Sequence, residues 1–274
     1  MTGKMLIFGM GYTASRLAAR LRGENWQVVG TSRTASPVSI AFDDEASIRN
    51  ALAGATHILS SVPPLREGGD PVLDRYRTAI ATAPANWVGY LSSTGVYGDA
   101  QGAWIDESAP IGSGRRSARA AADLEWQRFR DNMRIFRLPG IYGPGRSALE
   151  RVREGKAHRI DLPGQVFSRI HVDDIVSGVA ASFSGPAGVY NLADDFPCSQ
   201  NAVIEFASLL LGMDPPPMRT LEAAQLSPMA AAFYAENRRI SARKAKRALG
   251  WRPQYLDYKQ GLMAIFHSFG QKVD

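Results

Sequence analysis

Lysine is nearly missing from this chain. Only six of its 32 basic residues are lysine, and none lies between Lys4 and Lys156. Arginine supplies the other 26, as codon bias in a GC-rich genome would, so the net charge of +6 rests on guanidinium groups. The two cations do different chemistry: an ammonium shifts its pKa readily, whereas a guanidinium stays charged and offers a planar fork to oxyanions. Any mechanism needing a lysine between positions 5 and 155 is excluded. Cysteine is scarcer still. Cys198 stands alone, which excludes an internal disulfide framework and a cysteine-based zinc site and fits a reducing, cytoplasmic setting. No apolar run approaches the roughly 18 residues of a membrane span, and residues 1–11 are too short and glycine-broken to read as a secretory leader. The four histidines, His57, His158, His171 and His267, follow no ligand spacing, so no metal site is expected.

What is present suits a soluble protein with a real core: 45% hydrophobic and 21% charged residues. Apolar runs at 5–8, 26–30, 38–42, 57–62, 87–92 and 133–138 read as strands. Helical patterns lie between them, including one from Pro71 and one over 117–130. Such alternation predicts an α/β fold, a Rossmann-type doubly wound parallel sheet covered on both faces. After Pro139 the pattern loosens into helical segments near 148–154, 174–182, 200–211 and 240–249, separated by Gly/Pro-rich turns. The division expected is a dinucleotide-binding core over 1–160 and a smaller C-terminal part over 161–274. That part would be interleaved with the core and bind substrate.

Gly9-Met10-Gly11-Tyr12-Thr13-Ala14 follows the first strand and opens the first helix. In this G-x-G-x-x-A pattern Gly9 permits the tight turn, Gly11 lets backbone approach a pyrophosphate, and Ala14 lets helix pack on strand. The amides of Tyr12 and Thr13 would then face the anion. An NAD-binding unit usually carries an acid about 20 residues on, holding the ribose hydroxyls. Here there is none between Glu24 and Asp43; the second strand ends in Ser32, Arg33 and Thr34. Two hydroxyls and a guanidinium fork suit a 2′-phosphate, favouring NADP(H) over NAD(H). Ser61, Val62 and Pro63, after the fourth strand, are expected beside the cofactor or simply to end that strand.

From Leu91-Ser92-Ser93-Thr94-Gly95-Val96-Tyr97-Gly98 the chain resembles the extended short-chain dehydrogenase/reductases, the NAD(P)-dependent epimerase/dehydratase group. The resemblance continues in Arg137-Leu138-Pro139-Gly140-Ile141-Tyr142-Gly143-Pro144-Gly145-Arg146 and in Arg169-Ile170-His171-Val172-Asp173-Asp174-Ile175. It returns in Val189-Tyr190-Asn191-Leu192 and in Leu249-Gly250-Trp251-Arg252-Pro253, and so spans nearly the whole chain. It implies that Ser93 hydrogen-bonds the reacting carbonyl or hydroxyl with Thr94 beside it. It also implies that Pro139, Gly140 and Ile141 pack on the nicotinamide and that Arg146 and Arg169 border the substrate. In that family a tyrosine is the proton relay, and a lysine one helical turn on lowers its pKa. Glu107, Pro110 and Glu125 fit the family frame, but Ser117 stands at the tyrosine position and Ala121 at the lysine position. No tyrosine occurs between Tyr97 and Tyr142, so no shift of register restores the pair. Arg119, two residues from Ser117, is expected on another helix face, and Arg115 and Arg116 in the loop before it. The chain therefore resembles the atypical members that lack the Tyr–Lys pair.

Other constellations carry less. Asp173, just before the apolar run from Ile175, reads as a helix cap rather than a metal ligand. Ser93 lacks the G-x-S-x-G elbow of a serine hydrolase. Tyr97 and Tyr142 are stand-in acids or packed aromatics. Arg146 and Arg169 would grip an anionic group or form structural ion pairs. Residues 238–252 hold seven basic residues and no acid, which suggests nucleic acid or a solvated helix face. The solvated face is the preferred reading. The expectation is a cytoplasmic NADP(H)-binding oxidoreductase or epimerase-like protein acting on a small polar substrate. The alternative is an inactive NADPH-binding sensor or scaffold. Neither nucleic acid nor membrane is an expected partner, and a homodimer is compatible.

Overall fold

Every strand of the main sheet is hydrogen-bonded in parallel, and chain order dictates where the sheet opens. The computed structural model describes residues 2–112, 117–227 and 231–270. Its strands are β1 (Lys4–Phe8), β2 (Gln27–Ser32), β3 (Ser39–Ala41), β4 (His57–Ser60), β5 (Trp87–Ser93), β6 (Met133–Leu138) and β7 (Gly188–Asn191). They lie side by side in the order β7-β6-β5-β4-β1-β2-β3. The order reverses between β1 and β4, the switch point where doubly wound sheets leave a crevice at their carboxyl ends. Phe8 pairs with Ser60 at that end, so the loops beginning at Gly9 and Ser61 emerge together.

Burial explains the layers. Met5 and Ile7 of β1 point into one core cluster while Leu6 and Phe8 point into another, the period-2 alternation of a strand covered on both sides. The first cluster takes Ala14, Leu17, Ala18 and Leu21 from α1 (Tyr12–Gly23) and Ile175 and Val179 from α6 (Val172–Ala181). The second takes Ile48 from α2 (Glu45–Ala53), Tyr76 from α3 (Pro71–Thr82) and Trp126 from α4 (Ser117–Phe129). Helix α3 starts as its sequence asks: Pro71 sits in the first turn and Asp70 accepts the amides of Val72 and Leu73. A third cluster joins α5 (Ala148–Arg153), α7 (Gln200–Leu211) and α9 (Tyr258–Gly270), and it lies beyond a short parallel pair, 140–142 with 169–171. The last strand of the main sheet thus comes from residues 188–191, well into the C-terminal half.

Three local expectations change. The helix expected over 240–249 begins later, as α8 (Arg243–Ala248). Residues 239–240 instead pair with 104–105, and the Ile240 amide donates to Ser168 Oγ, so tertiary partners outbid helix propensity there. The cap of α6 is His171, whose Nδ1 accepts the Asp173 amide, and Asp173 itself faces Arg16 at 3.4 Å. Helix α9 has no counterpart in the sequence reading. Arg115 and Arg116 lie outside the described residues. No described helix is long and apolar enough to cross a membrane.

Candidate active site

Four strand ends open into one cavity of about 940 Å³. Gly11, Tyr12 and Thr13 after β1, Ser61 and Pro63 after β4, Ser93 and Thr94 at the end of β5, and 139–141 after β6 all line it. The structure therefore brings together most of the residues the sequence singled out. The opposite wall comes from the C-terminal helical layer, with Arg146, Arg151, His158, Phe167, Arg169 and Arg238 among its residues.

The floor at β1 is backbone. Gly9 has φ of +85°, a left-handed turn, and a Cβ there would stand 2.9 Å from Val62. Its amide donates to Thr31 Oγ1 at 3.1 Å and its carbonyl accepts Ser61 Oγ at 2.5 Å, locking the ends of β2 and β4 onto the loop. Gly11, the N-cap of α1, makes no side-chain cap, and the first turn of α1 contains no acid. A Cβ on Gly11 would meet nothing within 4 Å. The helix end thus presents amides and open space together, which is what an anionic group needs. Beyond it, Ser32 Oγ donates to the Thr34 carbonyl at 2.6 Å, which curls the loop so that Arg33 and Thr34 stand exposed.

At β5, Ser93 is half-buried and its Oγ accepts the Gly95 amide at 3.1 Å, leaving its hydroxyl hydrogen to donate toward the cavity. His171 is spent elsewhere, capping α6 beneath the rings of Tyr142 and Tyr255, and burial pulls its pKa down to about 4. Tyr97 is committed as well. Its hydroxyl donates to Asn191 at 2.7 Å and accepts Arg137 at 3.0 Å, and burial raises its pKa. Tyr142 lines the cavity, yet its hydroxyl lies 3.4 Å from the Asp257 carbonyl and burial raises its pKa further still. Among the described residues no group of His, Cys, Asp and Glu is placed to hold a metal ion.

The arginines divide. Arg169 is 7% exposed, and its terminal nitrogens donate to the carbonyls of Phe167, Cys198 and Ser199 and to Gln200 Oε1. Arg146 is exposed, with its guanidinium carbon 5.7 Å from the centre of the Tyr12 ring. Arg119, expected on a face of α4 other than that of Ser117, lines the cavity. It sits in the first turn of the helix. The basic segment is largely engaged with the protein: Arg238 and Arg239 donate to the carbonyls of Gly98 and Gly102, Lys246 pairs with Asp195, and Lys244 sits over Tyr190.

Sequence reasoning missed the buried pair behind the site. Asp123 of α4 and Arg137 of β6, 0% and 3% exposed, meet at 2.7 Å, and Ser92 Oγ donates to the same carboxylate. An apolar neighbourhood on both sides of two charges 14 residues apart was the signal available.

No protein-family model matches the chain. A functionally unknown conserved protein from Silicibacter pomeroyi superposes with a TM-score of 0.89 at 40% identity, covering 98% of this chain and 99% of that one. Protein YeeZ of Escherichia coli (strain K12) is 28% identical over 246 residues, 79% of this chain and 86% of its own length. Human epimerase family protein SDR39U1, solved with NADPH, shares the fold at a TM-score of 0.78 and 17% identity, covering 96% of this chain and 99% of its own. The chain belongs to one family with the Silicibacter pomeroyi protein, and its fold is that of the extended short-chain dehydrogenase/reductases of the epimerase/dehydratase type.

Proposed function

We propose that the chain is an NADP(H)-dependent oxidoreductase or epimerase-like enzyme acting on a small polar substrate without a Tyr–Lys pair. The observation carrying this reading is the convergence of the bare α1 N-terminus, the 61–63 loop, the 139–141 segment and Ser93 on one cavity. The open space at Gly11 fits a pyrophosphate, with the Tyr12 and Thr13 amides as donors. Ser32, Arg33 and Thr34 would take the 2′-phosphate, and Ser61, Val62 and Pro63 the ribose side. Pro139, Gly140 and Ile141 would form the wall against the nicotinamide. The chemistry that a bound nicotinamide would supply at this wall is hydride transfer.

The chain's own groups then do the rest. Ser93 donates to the substrate oxygen and orients it, and Thr94 lies next to it. Arg119 adds a fixed positive charge on the same wall, stabilising an oxygen that gains negative charge. A guanidinium gives up no proton at neutral pH. Tyr97 and Tyr142 are held above their ordinary pKa, and the proton is left to water, the substrate or another group of the cavity wall.

Titration of NADPH and NADH against wild type and Arg33→Ala tests the cofactor. The variant is expected to lose about tenfold in NADPH affinity and nothing for NADH. Equal affinities for wild type and variant would remove the NADP preference. NADPH consumption against a panel of carbonyl compounds tests the reaction, and Ser93→Ala should cut it by about a hundredfold. Tight NADPH binding with no turnover would make the chain a sensor or scaffold, the reading that Ser117 and Ala121 favour.

A further inference from the structure

The Tyr12 side chain leaves the glycine loop and crosses to the turn 143–146 on the opposite wall. Its hydroxyl donates to the Pro144 carbonyl at 3.0 Å. Gly143 makes room for it: a Cβ there would stand 2.5 Å from the Tyr12 oxygen and 2.6 Å from Val172. The turn is stiff. Arg146 N donates to the Gly143 carbonyl at 2.9 Å, and Glu150 accepts the amides of Gly145 and Ser147 at 2.8 Å each.

That stiff turn holds Arg146 against the Tyr12 ring. Glu150 accepts the turn's amides rather than the Arg146 guanidinium, and Asp173 faces Arg16. Among the described residues Arg146 has no carboxylate within ion-pair distance. Its guanidinium lies over the ring of Tyr12, the first residue of a twelve-residue helix whose N-terminal end is itself positive and carries no acid. Two like-signed ends turned to one space, with that space left open at Gly11, are reconciled by an anion between them.

We infer that Arg146 is a clamp on the pyrophosphate of the dinucleotide, positioned by Tyr12, and not a substrate ligand. The inference rests on the dinucleotide reading above. It divides the phosphate work between the two walls: amides and a helix end from β1 and α1, one guanidinium from the C-terminal layer. Tyr12 is the positioning residue, because its ring supports the guanidinium and its hydroxyl fixes the turn.

Calorimetric titration of the full chain with NADPH, ADP and 2′-AMP separates the phosphates. Arg146→Gln should raise the Kd for NADPH and for ADP by about tenfold and leave 2′-AMP, which has no diphosphate, unchanged. Arg146→Lys should recover part of the loss, since the charge returns without the fork. Tyr12→Phe keeps the ring and loses the pin, so its loss should be smaller, roughly threefold. The clamp is overturned if wild type and Arg146→Gln bind NADPH alike, or if 2′-AMP weakens as much as ADP. Failure of wild type to bind any dinucleotide is a different result and overturns the functional reading together with the clamp. Arg146 is exposed, so unchanged far-ultraviolet circular dichroism of the variant should accompany the loss.

Discussion

On α4 two sides can be compared. One carries Ser117 and Ala121, both exposed; the other carries Asp123 and Trp126, both sealed from solvent. Asp123 ties α4 to β6 through Arg137 and to β5 through Ser92. Trp126 stacks on Tyr90 with ring centres 5.3 Å apart and donates to Asp70, the residue that caps α3. The buried side is tied to three other elements, so each change there strands a polar partner. The exposed side meets α3 through the solvent-facing pair of Glu125 and Arg77, and Ser117 and Ala121 take no part in it. Residues at the positions of Ser117 and Ala121 can therefore change while α4 keeps its place in the fold, because different residues hold it there.

Cutting the buried side should give the largest effect. Asp123→Ala leaves the Arg137 guanidinium buried without its carboxylate and should cost about 3–5 kcal/mol, read by urea unfolding. A cost near zero would erase the contrast between the two sides. Trp126→Phe keeps an aromatic ring but withdraws the donor from Asp70 Oδ2, and about 1–3 kcal/mol of stability should go with it. Changes on the exposed side should be the smallest.

A third buried acid sharpens the comparison by lacking a bonded cation. Asp194 is 2% exposed, accepts the Phe196 amide, and is pushed up to about 8 by burial despite Arg169 nearby. Its native state holds the proton that the unfolded chain has released, so its contribution is full below the ordinary carboxylate pKa and is lost as pH rises toward 8. Asp174, raised to about 6 by burial, acts the same way over a lower range. His57 and His171, lowered by burial to about 4, act oppositely and lose stability as pH falls below 6.5. Between pH 6.5 and 8 the Asp194 slope should therefore stand alone among these four, at most about 1.4 kcal/mol per pH unit. Asp194→Asn keeps the amide's acceptor and should flatten the unfolding midpoint across that range.

The smallest effect is expected from Ser117→Tyr combined with Ala121→Lys. Stability should move by less than about 0.5 kcal/mol, while NADPH-dependent reduction of a carbonyl panel should rise above the wild-type level. A folded double variant with a large stability loss would show that the exposed side is constrained after all.

The parts of the fold written locally were the most legible. Met133–Leu138 and Gln200–Leu211 read correctly because burial on both faces, or on one helical stripe, leaves a continuous pattern. The glycine loop was legible in part, since Gly9 answers to a left-handed turn and Ala14 to close packing in the core, while a Cβ on Gly11 meets nothing within 4 Å. That Arg119 reaches the cavity was not legible, because spacing along a helix does not say which of its faces meets an opening. Ile240 was misjudged because its partners, Ile105 and Ser168, are distant in sequence. The same distance hid the turn at Pro144 from Tyr12, which lies 132 residues earlier.

Cys198 gives the C-terminal layer a built-in clock. Its thiol is 8% exposed, lies 3.2 Å from Arg169 Nη1, and is pushed up by burial, so it is both hidden and poorly ionised in the closed protein. Being the sole cysteine of the chain, it makes every modified molecule report one event, the exposure of this buried thiol beside Arg169 and the segment that begins α7. The rate at which a thiol reagent marks the native protein is then a count of how often that wall of the cavity breathes.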